Sequence, residues 1–396
     1  MLRLNIIANV INQILGIGFP LIVQFLIIRI LSINDIGVWN IAISFSSMMI
    51  ALSGSYYIFQ VNKITSTNDN NDISVYISSG LFFSLLLSIP LSILNYIYIL
   101  SIFDGFYILA MLSSFMVLLC PFSLDYYYQA NQQNHYILYR RIIFRILTII
   151  LIFLNVEDQS DFNVFVIIMI ISLIGETLTS FFFARQKFKI HNISFLWLKD
   201  NLNGVFGHML FAATYGISSY LTITLLPLFF EDDGLSVVSI IMRIIFLATT
   251  VITSNSIVLL AYISSDNVEN TKYIRNIGLF GFAAFIFLNV FSDVIFYIFL
   301  DEYTVKNIDF IFLVSTSYIF IHCIYNQVIF NNFVAKDLLK TPILLEVIFL
   351  ISYWAMLLIL NESISYISFA VALVCSRLIS CSILSIFVTF KKRIFT

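Results

Sequence analysis

Apolar residues run almost unbroken for roughly 18 to 25 positions at a time, and polar residues gather in short clusters between the runs. Runs of that length cross a hydrocarbon core of about 30 Å as helices. In lipid only helices or closed barrels satisfy every backbone group, and uninterrupted apolar runs mean helices. The pattern therefore predicts an all-α polytopic membrane protein with about twelve transmembrane helices. The expected spans are 4–30, 38–58, 74–99, 107–127, 137–156, 162–184, 204–229, 236–260, 277–300, 308–330, 343–360 and 365–390. The first is too long for the apolar core of a signal peptide and lacks a small-residue cleavage site, so it is expected to remain as a span.

Composition agrees with this reading. Of 396 residues, 60% are hydrophobic and only 11% are charged, a balance that leaves a soluble domain with nothing to offer water. The distribution of the 20 Lys and Arg adds a topology. With the N-terminus inside, the inner segments hold Arg3, Lys63, Arg140, Arg141, Arg185, Lys187, Lys189, Lys199, Lys272, Arg275, Lys336, Lys340, Lys391, Lys392 and Arg393. The outer connections hold Lys306 alone, while acids such as Asp104, Glu157, Asp158 and Glu231 collect there. Basic inner loops orient the chain, so both termini are expected in the cytoplasm.

The longest connection lies mid-chain. It divides the protein into an expected six-helix bundle over 1–190, a cytoplasmic linker over 191–203 and a second six-helix bundle over 204–396. The linker region mixes basic residues with Phe188, Phe195 and Trp197, which predicts a short amphipathic helix lying in the membrane interface.

Polar residues inside the spans carry the candidate chemistry. Asn5, Asn9 and Asn12 share one face of the first span, followed by Gly16, Gly18, Pro20 and Gln24. Amides facing lipid would be unpaired, so this face should look inward. Two readings stand: hydrogen bonds that bind helices together, or the polar wall of a path. Arg145, Arg243 and Arg377 lie within spans, as do Glu176 and Asp293. Internal ion pairs and a pathway both account for such residues. Several buried arginines with few acids suit an anion, because guanidinium forks pair bidentately with phosphate oxygens. Asp125 and Arg29 sit near span ends and are expected at the interface.

Two stretches resemble a known family. The run from Asn5 and Asn9 through Pro20 to Arg29-Ile-Leu-Ser-Ile-Asn-Asp-Ile-Gly37-Val-Trp39 is similar to the opening of polysaccharide exporters of the multidrug/oligosaccharidyl-lipid/polysaccharide superfamily. The segment Asp125-Tyr-Tyr-Tyr-Gln129 through Tyr136 to Arg140-Arg141 resembles that family's connection between helices four and five. Ser32 stands where the family often has glycine. The resemblance implies a MATE-like pair of bundles in a bacterial inner membrane, working by alternating access. It implies a flippase for an undecaprenyl-pyrophosphate-linked oligosaccharide, an O-antigen or similar repeat unit. Arg377 and Arg243 would hold the anionic head group, with Arg145 at the inner mouth. Asn5, Asn9, Asn12 and Gln24 would line the path, and Glu176 and Asp293 would be the coupling sites. A polymerase and a chain-length regulator are the implied protein partners, beside membrane lipids.

Other classes fit less well. A polytopic polymerase or glycosyltransferase using lipid-linked sugars would carry a long outer loop with basic residues or paired acids, and the outer connections here are short. A drug antiporter of the same superfamily would use a carboxylate in the first helix, which has none. The connection after the second span lacks the basic, glycine-rich motif of major-facilitator transporters. The four cysteines lie in apolar segments without metal-ligand spacing. No nucleotide-binding loop or nucleic-acid signature appears, and no cofactor, metal or catalytic residue is expected.

Overall fold

The computed structural model describes residues 8, 11–12, 14–28, 30–54, 70–131, 133–185, 195–230, 234–253, 270–299, 307–334, 338–360 and 365–395. Asn5, Asn9, Arg29 and the linker stretch 186–194 lie outside them. The described secondary structure is helical throughout. By contact clustering the chain divides into two compact units, Met1–Thr224 and Leu225–Thr396.

The first unit opens with a π-turn, Ile14–Gly18, running into α1 (Phe19–Ile27). Pro20 sits in the first turn of α1, where its missing N–H costs nothing. After α1 the chain turns into α2 (Ile33–Ser53) through a Ser32 cap, whose Oγ accepts from the Asp35 amide at 3.1 Å and donates to Asp35 Oδ2 at 2.7 Å. Then follow α3 (Asn70–Ile102), α4 (Tyr107–Leu119), the short α5 (Asp125–Ala130), α6 (Asn134–Asn155), α7 (Phe162–Arg185) and α8 (Phe195–Leu225). The turn between α3 and α4 places Gly105 at φ +86°, a left-handed conformation that suits glycine.

The second unit begins with a 3₁₀ turn, Leu226–Leu228. Its helices are α9 (Gly234–Thr253), α10 (Asn270–Val290), α11 (Ser292–Phe299), α12 (Ile308–Asn332), α13 (Lys340–Ile359) and α14 (Tyr366–Phe395). Between α10 and α11 the chain bends by 65°. Among the described residues nine helices are long and apolar enough to cross a membrane, or ten if that bent pair is one span. α6 has the length of a span, but Arg140, Arg141 and Arg145 load it with charge. With α6 and the first, partly described helix, the set is compatible with about twelve crossings. The fold is that of an all-α polytopic membrane protein.

Burial is inverted relative to a soluble bundle. α6 exposes Tyr139, Ile143, Phe153 and Leu154, and α13 exposes Leu358 and Ile359. The interior is rich in small hydroxyl residues. Asn95 on α3 donates to Ser113 Oγ (3.2 Å) and Ser114 Oγ (3.1 Å) on α4 and accepts from Ser46 on α2 (3.0 Å). Lipid tails are as apolar as leucine, so helix association relies on close backbone approach and such bonds. Along α8, Gly216 meets α2 so closely that an added Cβ would stand 2.8 Å from that of Ala51. Tyr98 stacks its ring on Phe45, and its hydroxyl donates to the Thr224 carbonyl near the end of α8.

Candidate functional site

Two buried ion clusters stand out, one in each unit. In the first unit, α6 presents three arginines. Arg140 and Arg141 are neighbours, and Arg145 lies one turn further on. Two carboxylates face them, Asp125 at the start of α5 and Glu176 within α7. Arg140 Nη2 donates to Asp125 Oδ1. Arg141 reaches both acids, with Nε to Glu176 Oε1 at 2.9 Å and Nη2 to Asp125 Oδ2 at 3.3 Å. Arg145 Nη2 donates to Glu176 Oε2 at 3.0 Å. Ser180 ties the cluster to the backbone, donating to Asp125 Oδ1 at 3.1 Å and accepting from the Leu124 amide at 3.2 Å.

The arginines also hold the beginning of the chain. Arg141 Nη1 donates to the Asn12 carbonyl at 2.6 Å, and Arg145 Nε to the Leu15 carbonyl at 3.2 Å. These carbonyls border or lie in the π-turn, where the regular ladder of an α-helix is interrupted. The Arg145 guanidinium lies over the Phe19 ring, 4.8 Å from its centroid. Three guanidiniums meet two carboxylates, so among the described residues the cluster carries one surplus positive charge. Arg140 and Arg145 are almost fully enclosed, while the Arg141 side chain keeps 20% of its surface open.

In the second unit, the Arg377 side chain on α14 is completely enclosed. Its Nη1 donates to Glu346 Oε1 at 2.9 Å and its Nη2 to Oε2 at 3.3 Å, a two-pronged pair with α13. The Tyr318 hydroxyl accepts from Nη2 at 3.3 Å. Aromatic rings pack around the guanidinium, with centroids at 3.9 Å for Phe349, 4.5 Å for Tyr325 and 5.8 Å for Tyr318. His322, buried beside them, shares a 3.0 Å hydrogen bond with Tyr318. One cation meets one anion here, and the charge closes on itself.

The remaining expected residues are placed as follows. Asn12 is buried and donates to the Asn134 carbonyl at 3.2 Å. Gln24 is buried and donates to Asn40 on α2. Glu176 is buried, as its depth in the span predicts. Arg243 is partly buried midway along α9. Three expectations are corrected. Asp293, expected inside, is exposed in the first turn of α11, just after the 65° bend that carries it off the line of α10. Asp125, expected at the interface, is buried because α5 folds it back beneath α6. Few acids were expected near the arginines, yet all four of Arg140, Arg141, Arg145 and Arg377 have carboxylate partners. Glu346 was missed. It follows Lys340 by less than two turns and reads as the edge of a span, but it shares a depth with Arg377 on the next helix.

Among the described residues no group of His, Cys, Asp and Glu is arranged to hold a metal. The four cysteines are free thiols.

No family model matches this sequence. No curated protein matches it either. Solved structures do, across nearly the whole chain. A lipid II flippase MurJ in its inward closed conformation superposes with a TM-score of 0.72 at 19% identity, covering 98% of this chain and 87% of that one. A MATE protein in complex with MaL6 gives 0.67 at 12% identity, covering 99% and 96%. An inward-facing multidrug resistance MATE family transporter of the MOP superfamily gives 0.66 at 14%, covering 96% and 99%. The chain therefore has the fold of these MATE and MurJ structures, that of a multi-pass membrane protein.

Proposed function

We propose that this protein is a flippase that moves an undecaprenyl-pyrophosphate-linked oligosaccharide, an O-antigen or similar repeat unit, from the cytoplasmic to the outer leaflet. The observation that carries the reading is the buried cluster of three arginines in the first unit, on a fold shared with a lipid II flippase. A polar head group with two phosphates cannot cross lipid unaided, and fixed guanidiniums offset its charge on the way. The protein sits in a bacterial inner membrane with both termini in the cytoplasm, as its basic inner loops favour. Two bundles, 1–190 and 204–396, alternate access to the two sides, and the linker over 191–203 that joins them includes the first residues of α8.

Within this reading Arg145 and Arg243 contact the head group, and Asn12 and Gln24 line its path together with Asn5 and Asn9. Arg377 is the weakest of the expected contacts, since Glu346 already fills its fork; its part is to hold α13 and α14 together. Glu176 is the coupling carboxylate, because it bridges Arg141 and Arg145 from within α7. A polymerase and a chain-length regulator are the protein partners that would consume the delivered units.

The test is transport of a fluorescent lipid-pyrophosphate oligosaccharide between leaflets of proteoliposomes. The wild type should move it, and folded Arg145→Ala and Arg243→Ala proteins should stall. A folded wild type that moves nothing, and instead joins sugar units when acceptor is supplied, would make it a polymerase or glycosyltransferase.

A further inference from the structure

We propose that the Arg140–Arg141–Arg145 cluster is a binding site for a lipid-borne phosphate, and that filling it releases the first helix. The proposal deepens the flippase reading and rests on it for its consequence, though not for its test.

Four observations carry it. The first is charge. Among the described residues three guanidiniums meet two carboxylates, an arrangement that favours a further anion. The second is an unused donor. Arg140 Nε is buried and has no hydrogen-bond partner; the same holds for Arg377 Nε in the other cluster, but among the described residues only the first cluster has neutral carbonyls as exchangeable partners. Buried donors without partners are rare in native proteins.

The third is the nature of two partners already present. Arg141 and Arg145 each direct one donor at a main-chain carbonyl, those of Asn12 and Leu15. A carbonyl is neutral. A phosphate oxygen forms a charge-assisted bond roughly twice as strong, so it displaces the carbonyl and leaves the carboxylate pairs in place. The fourth is how the first helix lies. A Cβ on Gly16 would stand 3.1 Å from Arg141 Nη1, so the π-turn rests directly on the guanidinium. The π-turn is therefore both the cover of the site and the element that gives way. Once released, Asn12 and Leu15 can return their carbonyls to a regular α-helical ladder, and the start of the chain straightens. Basic pockets between helices near the cytoplasmic surface are where lipid phosphates bind.

The test uses the full-length protein in neutral phosphatidylcholine nanodiscs. Three probes are titrated: undecaprenyl diphosphate, phosphatidylglycerol and inorganic pyrophosphate. Binding is read by calorimetry, and hydrogen exchange is read on residues 8–18. The expected result is saturable binding of a lipid probe with faster exchange in that segment. Affinity should fall at least about tenfold in Arg141→Gln, and rise by roughly tenfold in Glu176→Gln, where the cluster loses one negative charge. A merely structural ion cluster gives no rise. If Glu176→Gln does not fold, Asp125→Asn makes the same electrostatic change, and the exchange response of the wild type still decides.

No binding of any probe by folded wild type overturns the site. So does binding that Arg141→Gln leaves unchanged, or that slows exchange at residues 8–18. Equal affinity for pyrophosphate and lipid overturns the lipid source. Preference for undecaprenyl diphosphate over phosphatidylglycerol makes the phosphate that of cargo; the reverse makes it that of a resident anionic lipid. Failure of the flippase reading looks different, with phosphate bound and exchange quickened while no oligosaccharide crosses the membrane.

Discussion

The two ion clusters differ in how their charges close. In the second unit one arginine meets one glutamate fork to fork, inside a wall of Tyr318, Tyr325 and Phe349. In the first unit three arginines share two acids, and two of them complete their coordination on carbonyls of a broken helix. A closed pair fixes two helices in register. An open cluster has partners to exchange. Buried charge alone therefore says little about function; whether each cation has a carboxylate of its own says more.

The comparison makes predictions of decreasing size. The largest effect is expected from Glu346→Ala, which leaves a buried guanidinium without its anion, at a cost of about 3–5 kcal/mol. Thermal unfolding in detergent should show a large drop in Tm or loss of folded protein. The double variant Glu346→Leu with Arg377→Met should recover most of it, because apolar residues of similar volume replace a buried pair at little net cost. No recovery would mean that the pair does more than hold α13 to α14.

Glu176→Gln should cost less, about 1–3 kcal/mol, since Arg141 keeps Asp125 and Arg145 keeps the Leu15 carbonyl. An effect as large as that of Glu346→Ala would erase the distinction between open and closed clusters. Next comes Phe349→Leu, which removes the ring nearest Arg377 and should cost about 2 kcal/mol by the same assay. Ser180→Ala should be mildest. It deprives Asp125 of one donor and the Leu124 amide of its acceptor, for roughly 1 kcal/mol. Transport should tolerate it if the open cluster works through its arginines.

Much of the fold is legible in the sequence, because lipid imposes one rule on every span. The expected spans from the second to the twelfth overlap described helices, α6 included despite its charge, with 107–127 falling on α4 and α5 and 277–300 on the bent pair α10 and α11. The candidate site is legible only in part. Arg145, Glu176 and Arg377 announce themselves as charges inside apolar runs. Their partners do not, since pairing depends on depth across neighbouring helices. Glu346 and Arg377 lie at similar distances on either side of the turn between α13 and α14, and counting outward from that turn would have paired them. Asp125 needed the short helix α5, which no hydropathy pattern marks. The roles of Arg140 and Arg141 were hidden by their place at a span edge, where they count as ordinary inner-loop charges.

The inverted burial has a consequence for descent. Positions facing lipid, such as Ile143, Leu154 and Ile359, need only stay greasy, so Ile, Leu, Val and Phe can trade places there over generations with little penalty. Positions such as Ser46, Asn95 and Ser113 must keep both size and hydrogen bonding. Ancestry should thus persist in a sparse set of interior polar residues while the outer coat drifts to whatever the genome's composition favours. Two chains can then share 19% of their residues and still superpose over most of their length.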